Sequence, residues 1–145
     1  QAPAATVPTD FVSQVLKAAK FEPKVALDAK KRKVWRAPAK VDSHSVELEA
    51  FASADGKLVW YGLRLKPFKD PNRLTRDNLL RMFIESEECA PSFYAYVLED
   101  KRFVLRQPID RRDWSADTAR KTYERLAQMA RATEPLWDDS KWPAR

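Results

Sequence analysis

The chain is expected to fold as one α+β domain, a mostly antiparallel sheet of five or six strands with three helices in the order α-β-β-β(-β)-α-β-β-α. Three observations lead there. Apolar residues recur at helical spacing in three separated stretches, and alternate at strand spacing in the stretches between them. Turn residues fall where those alternating stretches would reverse, at Asp55-Gly56 and at Glu99-Asp100-Lys101. The length, 145 residues with 44% hydrophobic content, suits one ordinary domain able to bury a core without staples.

Taken in order, "TDFVSQVLKAAKF" puts Phe11, Val12, Val15, Leu16 and Ala19 on one helical face, with Thr9 or Asp10 as the cap and Pro23 as the break. "KVALDAKKRKVWRA" reads as two short strands around a basic turn, Val25 and Leu27 alternating in the first and Val34 and Trp35 lying in the second. Pro38 reads as a connection. "HSVELEAFASADGKLVWYGLRLKP" is a hairpin whose Asp55-Gly56 supplies the two positive φ angles of a type I′ turn. In its first arm Val46, Leu48 and Ala50 face one way, while Glu47 and Glu49 face the other, toward solvent. "KPFKDPNRL" reads as a loop. Thr75 caps a second helix with Leu79, Leu80, Phe83 and Ile84 as its apolar stripe. "PSFYAYVLEDKRFVLRQP" is a second hairpin. The last helix follows, capped by Ser115, with Asp117 in its positive first turn and Trp114 placed to staple onto Ala119; Ala116, Ala119, Tyr123, Leu126, Ala127 and Ala130 form its buried face.

From these elements, residues 9–137 are expected to form the domain, 1–8 a disordered or processed N-terminal segment, and 138–145 a polar C-terminal tail; Trp137 and Trp142, beyond the strong helical pattern, could anchor the tail or a partner. The start "QAPAATVPTD" is small-residue and Ala/Pro-rich, as a signal-peptide cleavage leaves it, or as a trimmed boundary would be. The first reading implies a periplasmic or secreted protein, the second a cytoplasmic one.

Between the first hairpin and the last helix the chain resembles the type III secretion chaperone-like fold, the class I effector chaperones and the YbjN-like proteins. Val59 to Leu65 is a strand that enters "KPFKDPNRLTRDNLLRMF"; "SFYAYVLEDKRFVLRQPID" and "WSADTARKTYERLAQMARATEPLW" follow in the family's order. The resemblance lies in element order and pattern over roughly residues 9–137. It implies a non-enzymatic protein- or peptide-binding fold, dimeric through the middle helix and its neighbouring strands. Two features depart from the family: those chaperones are typically acidic and cytosolic, whereas this chain carries a net charge of +6 and has the N-terminus just described.

That charge is local. Lys17, Lys20, Lys24, Lys30, Lys31, Arg32, Lys33, Arg36 and Lys40 face only Glu22 and Asp28 in their window, so the rest of the chain is close to neutral. Lys30, Lys31, Arg32, Lys33 and Arg36 are therefore the candidate contacts for nucleic acid or another polyanion, against the simpler reading of a solvated hairpin tip. Strand alternation forces Trp60 and Tyr61, and likewise Phe93 and Tyr94, to opposite faces. Trp35, Tyr61 and Tyr94 are the candidate partner-binding aromatics, the alternative being that they fill the core.

Catalytic and cofactor chemistry has little to stand on. Two glycines, Gly56 and Gly62, cannot make a phosphate-cradling loop. A single cysteine, Cys89, excludes an internal disulfide and a cysteine-based zinc site. It sits at a helix end before Ala90-Pro91, where Glu85 and Glu88 disfavour a thiolate, so it is expected to be half-buried and structural rather than a nucleophile served by His44. Asp138-Asp139 reads as tail; a metal site there would need ligands the sequence does not place beside it. No apolar run reaches the roughly 20 residues of a membrane span. The expected function is thus a non-catalytic protein- or peptide-binding module, able to homodimerise and needing no cofactor, with polyanion binding through residues 17–40 as the alternative.

Overall fold

In the computed structural model, which describes residues 10–143, hairpin turns join successive strands into one six-stranded sheet, antiparallel throughout, in the order β1-β2-β3-β4-β6-β5. Its strands are β1 (Lys24–Leu27), β2 (Lys33–Val41), β3 (His44–Ala52), β4 (Leu58–Arg64), β5 (Phe93–Val97) and β6 (Arg102–Asp110). Helices α1 (Asp10–Ala18), α2 (Arg76–Glu88) and α3 (Ala116–Ala132) join them, followed by a single turn, α4 (Glu134–Trp137). The α+β class and the element order are those the sequence predicts, with four strands before α2. The segment 1–8 and the candidate cap Thr9 lie outside the described residues.

The period-two alternation sends one set of side chains from the central strands toward the helices. Trp35, Leu48, Tyr61, Leu63 and Leu105 meet Val12 and Leu16 of α1 and Ala119, Leu126 and Ala130 of α3 in one core. The alanines of α3 let it lie close to the sheet, and the Tyr61 hydroxyl donates to the carbonyl of Ala119 at 2.8 Å. Trp114 is buried edge-to-face on Tyr61, their centroids 5.1 Å apart. Side-chain caps fall where expected: Thr75 accepts the Asn78 amide at 3.1 Å and Ser115 the Thr118 amide at 3.2 Å.

Four local expectations are corrected. Pro38 is not a connection but lies inside β2, opposite Glu47. It is tolerated because β1 pairs with β2 only as far as Arg36, so beyond that point β2 has no neighbour on its outer side needing a donor. The Asp55-Gly56 turn is not type I′: Gly56 alone has a positive φ, 71°, while the Asp55 carboxylate accepts the Ser53 hydroxyl at 2.7 Å and the Lys57 amide at 3.0 Å. A side-chain bracket replaces the second left-handed residue. Glu49 does not face solvent; it is buried. Finally, the 138–145 stretch is not a loose tail as far as Pro143. Trp137, Asp138 and Asp139 are buried, and Trp142 packs on Phe68 with centroids 5.0 Å apart while its indole N–H donates to the Pro135 carbonyl at 2.9 Å.

Candidate functional site

The sheet face away from the core carries charge. In register across three strands stand Glu49, Gly62 and Arg106. Gly62 offers no side chain, so Arg106 reaches over β4 toward Glu49, its Nη2 3.4 Å from Oε1. Arg36 Nε donates to Glu49 Oε2 at 2.8 Å, and Arg64 Nη1 lies 3.4 Å from the same oxygen. Arg64 is itself buried and donates through Nη2 to Asp100 at 2.8 Å. Three guanidiniums converge on one buried carboxylate, so the positive charge is already countered by Glu49 and Asp100, although Arg64 Nε is buried without a hydrogen-bond acceptor. The nearby cleft of about 250 Å³ is lined by acids as well as bases, with Asp28 and Glu99 beside Lys30 and Arg32.

The basic turn adjoins this face. Lys30, Lys31, Arg32 and Lys33 are exposed at the β1–β2 tip, as expected. The tip is organised by Asp28, whose carboxylate accepts the amides of Lys30 at 2.9 Å and Arg32 at 2.8 Å, and pairs with the Arg32 guanidinium at 2.6 Å. Burial pushes the Asp28 carboxyl up, but these donors outweigh it and hold it below its ordinary value. Arg32 and Arg106 lie over the Phe51 ring, 4.5 and 5.5 Å from its centroid. Arg32 and Arg36 are therefore committed within the fold, and Lys30 and Lys31 project furthest.

Two of the three candidate aromatics are inaccessible to a partner, and the third is partly covered. Trp35 and Tyr61 are buried in the core, and Tyr94 is half-buried, its hydroxyl sharing a hydrogen bond with Thr133 Oγ1 and its phenol held above the ordinary value by burial. Their faces were predictable from alternation; which face the helices cover was not.

The largest group of exposed apolar side chains lies on α2, with smaller ones at Val25 and Leu27 of β1 and at Leu98. This helix docks on β5 through Met82 and through Ser86, whose Oγ accepts the Tyr94 amide at 2.9 Å. The stripe expected to be its buried face is largely uncovered: Phe83 is 73% exposed, Ile84 55%, Leu80 46% and Leu79 38%. Beside it runs a groove of about 260 Å³ between Leu79, Met82 and Phe83 on one wall and Tyr94, Tyr96 and Phe103 on the other. The helix carries Arg76 and Asp77 in its first turn, Arg81 near its middle, and Glu85, Glu87 and Glu88 toward its end.

Cys89 caps the end of this helix, half-buried, with its Sγ 3.5 Å from the Ser92 carbonyl oxygen. Burial first, then the charges of Glu85 and Glu88, raise its thiol above the ordinary value, although Arg125 pulls the other way. His44 is engaged elsewhere. At the start of β3 its ring packs edge-to-face on Trp137 at 4.9 Å, and its Nε2 lies 3.2 Å from Glu134 Oε2 and 3.5 Å from Asp138 Oδ2. Sequence spacing gave no sign of this meeting across 90 positions. A tryptophan directly before the Asp-Asp pair, implying a buried anchor there, was the one available hint.

No protein-family model, curated protein or solved structure matches the chain in comparisons with known proteins.

Proposed function

We propose that the chain is a non-catalytic protein-binding module whose docking surface is the uncovered face of α2, and that the surface pairs with α2 of a second copy. The observation that carries this reading is the contiguous exposure of Leu79, Leu80, Phe83 and Ile84 on one helix, a larger group than the exposed Val25 and Leu27 of the edge strand β1 or the single Leu98. The charge order of the helix favours the second copy as the occupant. Two such helices packed antiparallel about a two-fold near Met82 place Leu80 of each against Ile84 of the other and Arg76 against Glu88, with the Asp77–Glu87 position left to the solvated rim. The thiol held protonated at Cys89 supports the non-catalytic part of the reading.

Light scattering tests it. A dimer mass is expected at micromolar concentrations, converting to monomer with unchanged circular dichroism in Phe83→Glu, which puts a charge at the centre of the stripe. A monomer mass for the unsubstituted chain throughout that range would sink the proposal. The polyanion reading ranks second, on the exposure of Lys30 and Lys31. It is weakened by the acids Asp28, Glu99 and Asp100 along the adjoining cleft.

A further inference from the structure

We propose that His44, Glu134 and Asp138 form a site for one divalent transition-metal ion of the zinc(II) type. The three side chains come from the start of β3 and from the turn after α3, and one donor atom of each lies within 4.8 Å of the others. The edges from His44 Nε2 measure 3.2 Å to Glu134 Oε2 and 3.5 Å to Asp138 Oδ2. Ligands about 2.0–2.1 Å from a tetrahedral zinc stand roughly 3.3–3.4 Å apart; the two edges from the imidazole are near that spacing, and the carboxylate–carboxylate edge is within 4.8 Å.

The carboxylates are also presented the right way round. Asp138 Oδ1 is occupied by Lys66 Nζ at 2.9 Å and by the Ser140 hydroxyl at 2.7 Å and amide at 3.1 Å, leaving Oδ2 toward the imidazole. Glu134 Oε1 is taken by the Lys141 ammonium, leaving Oε2 toward the imidazole. This is the role of an outer shell: each ligand is fixed through the atom that does not bind. Trp137 at the ring edge restricts the imidazole further.

The local charge leaves room for a cation. Glu134, Asp138 and Asp139 face two ammoniums, Lys66 and Lys141, so one negative charge is uncompensated while His44 is neutral. Asp139 lies beside the cluster and shares its cation. Its residue is 3% exposed, its Oδ2 accepts the Lys69 amide at 2.8 Å, and its Oδ1 is buried without a hydrogen-bond donor, 3.6 Å from the Lys66 ammonium that also holds Asp138. The Lys66 ammonium is thus divided between two carboxylates and does not neutralise Asp138 alone. One imidazole with two carboxylates selects a borderline transition metal over magnesium or calcium, which prefer all-oxygen shells. Three protein ligands leave a fourth position for water, and the two ammoniums behind the site weaken its hold on a cation.

The test uses the full chain without a polyhistidine tag, dialysed against chelator and titrated calorimetrically with zinc(II), magnesium or calcium chloride. The expected result is one zinc per chain, at least tenfold weaker binding in both His44→Gln and Glu134→Gln, and unchanged binding in Cys89→Ser. His44→Gln can still hydrogen-bond Glu134, so its fold is checked by its melting curve without metal. Cobalt(II) should give the intense visible absorption of a tetrahedral site in the unsubstituted chain and not in His44→Gln. Absence of zinc binding into the millimolar range would overturn the proposal and leave the cluster as an ion-pair latch. So would zinc binding that survives both substitutions or disappears with Cys89.

Discussion

Gly62 shows how one missing side chain shapes a whole face. A Cβ built there would stand 2.4 Å from the Leu105 carbonyl oxygen, too close to be tolerated without movement of β6, and a tight 3.0 Å from Arg106 Cγ, which that side chain can ease by a small shift. The backbone cannot give way cheaply, since it is paired on both sides. Gly62→Ala should therefore cost about 1–3 kcal/mol, read from urea unfolding, even though alanine is ordinarily harmless in a strand. An unchanged midpoint would mean that β4 and β6 do not approach as described. Cys89 makes the opposite kind of prediction. Cys89→Ala should change stability by less than about 1 kcal/mol, because a half-buried helix-end thiol is a small apolar filler. Its alkylation should be slow near neutrality and accelerate only above the ordinary thiol value of 9.0, since burial, Glu85 and Glu88 favour the protonated form in the fold. The sign of the linked stability follows: the folded thiol's raised value adds stability below that pH and loses it as pH climbs through the folded value. Fast, selective labelling at pH 7 would contradict the geometry.

At the scale of elements, periodicity reports that a face is apolar but not what covers it. The stripe Leu79, Leu80, Phe83 and Ile84 was legible as one face of α2, but only Met82, outside that stripe, is buried. The helix touches the sheet along its β5 edge, and nothing in the chain's own described residues closes over the stripe. Strand alternation was legible for the same reason, with Val46, Leu48 and Ala50 pointing to the helices as expected. It missed that Glu49, on the other face, would be buried by arginines from three different strands. Such a meeting depends on register between β2, β3, β4 and β6, which no local pattern encodes. Caps and turns were readable because their signals are local, and the one misjudged turn, at Asp55-Gly56, failed on a side-chain bracket rather than on position. The β1–β2 tip yields a prediction at this scale. Lys30 and Lys31 replaced by Ser should leave stability within about 0.5 kcal/mol. Arg32→Ser should cost roughly 1 kcal/mol, because that guanidinium lies on Phe51. Anisotropy titrations with single- and double-stranded oligonucleotides at two salt concentrations should detect no binding that the Lys30 and Lys31 changes abolish. Micromolar affinity that falls with both salt and these substitutions would promote the polyanion reading over the α2 surface.

For the whole molecule, the decisive feature is how the chain closes on itself. The last helix does not end the domain; the turn after it carries Trp137 into the core, and the following residues run back across the start of the loop after β4. Trp137 is fully buried and its indole N–H donates to the Ala130 carbonyl at 2.8 Å. Asp138 is gripped by Lys66: burial pushes its carboxyl up, yet the hydrogen bonds from Lys66 and Ser140 hold it at about 2. Asp139 accepts the Lys69 amide, and Arg73 donates to the Trp142 and Pro143 carbonyls at 2.9 Å each. These contacts tie the loop between β4 and α2 to the C-terminal segment. A detachable tail would leave the domain indifferent to its loss, whereas a closing segment makes stability depend on it. Trp137→Ala should therefore destabilise the fold by about 3–5 kcal/mol, the range for emptying a buried tryptophan site. Removal of residues 138–145, which spares Trp137 itself, should also lower the urea midpoint, through exposure of Phe68 and loss of the Lys66–Asp138 pair. The slope of unfolding should stay nearly proportional to the surface buried. A truncated chain as stable as the full one would return residues 138–145 to the status of a passive tail, while a neutral Trp137→Ala would show that the core closes without its anchor.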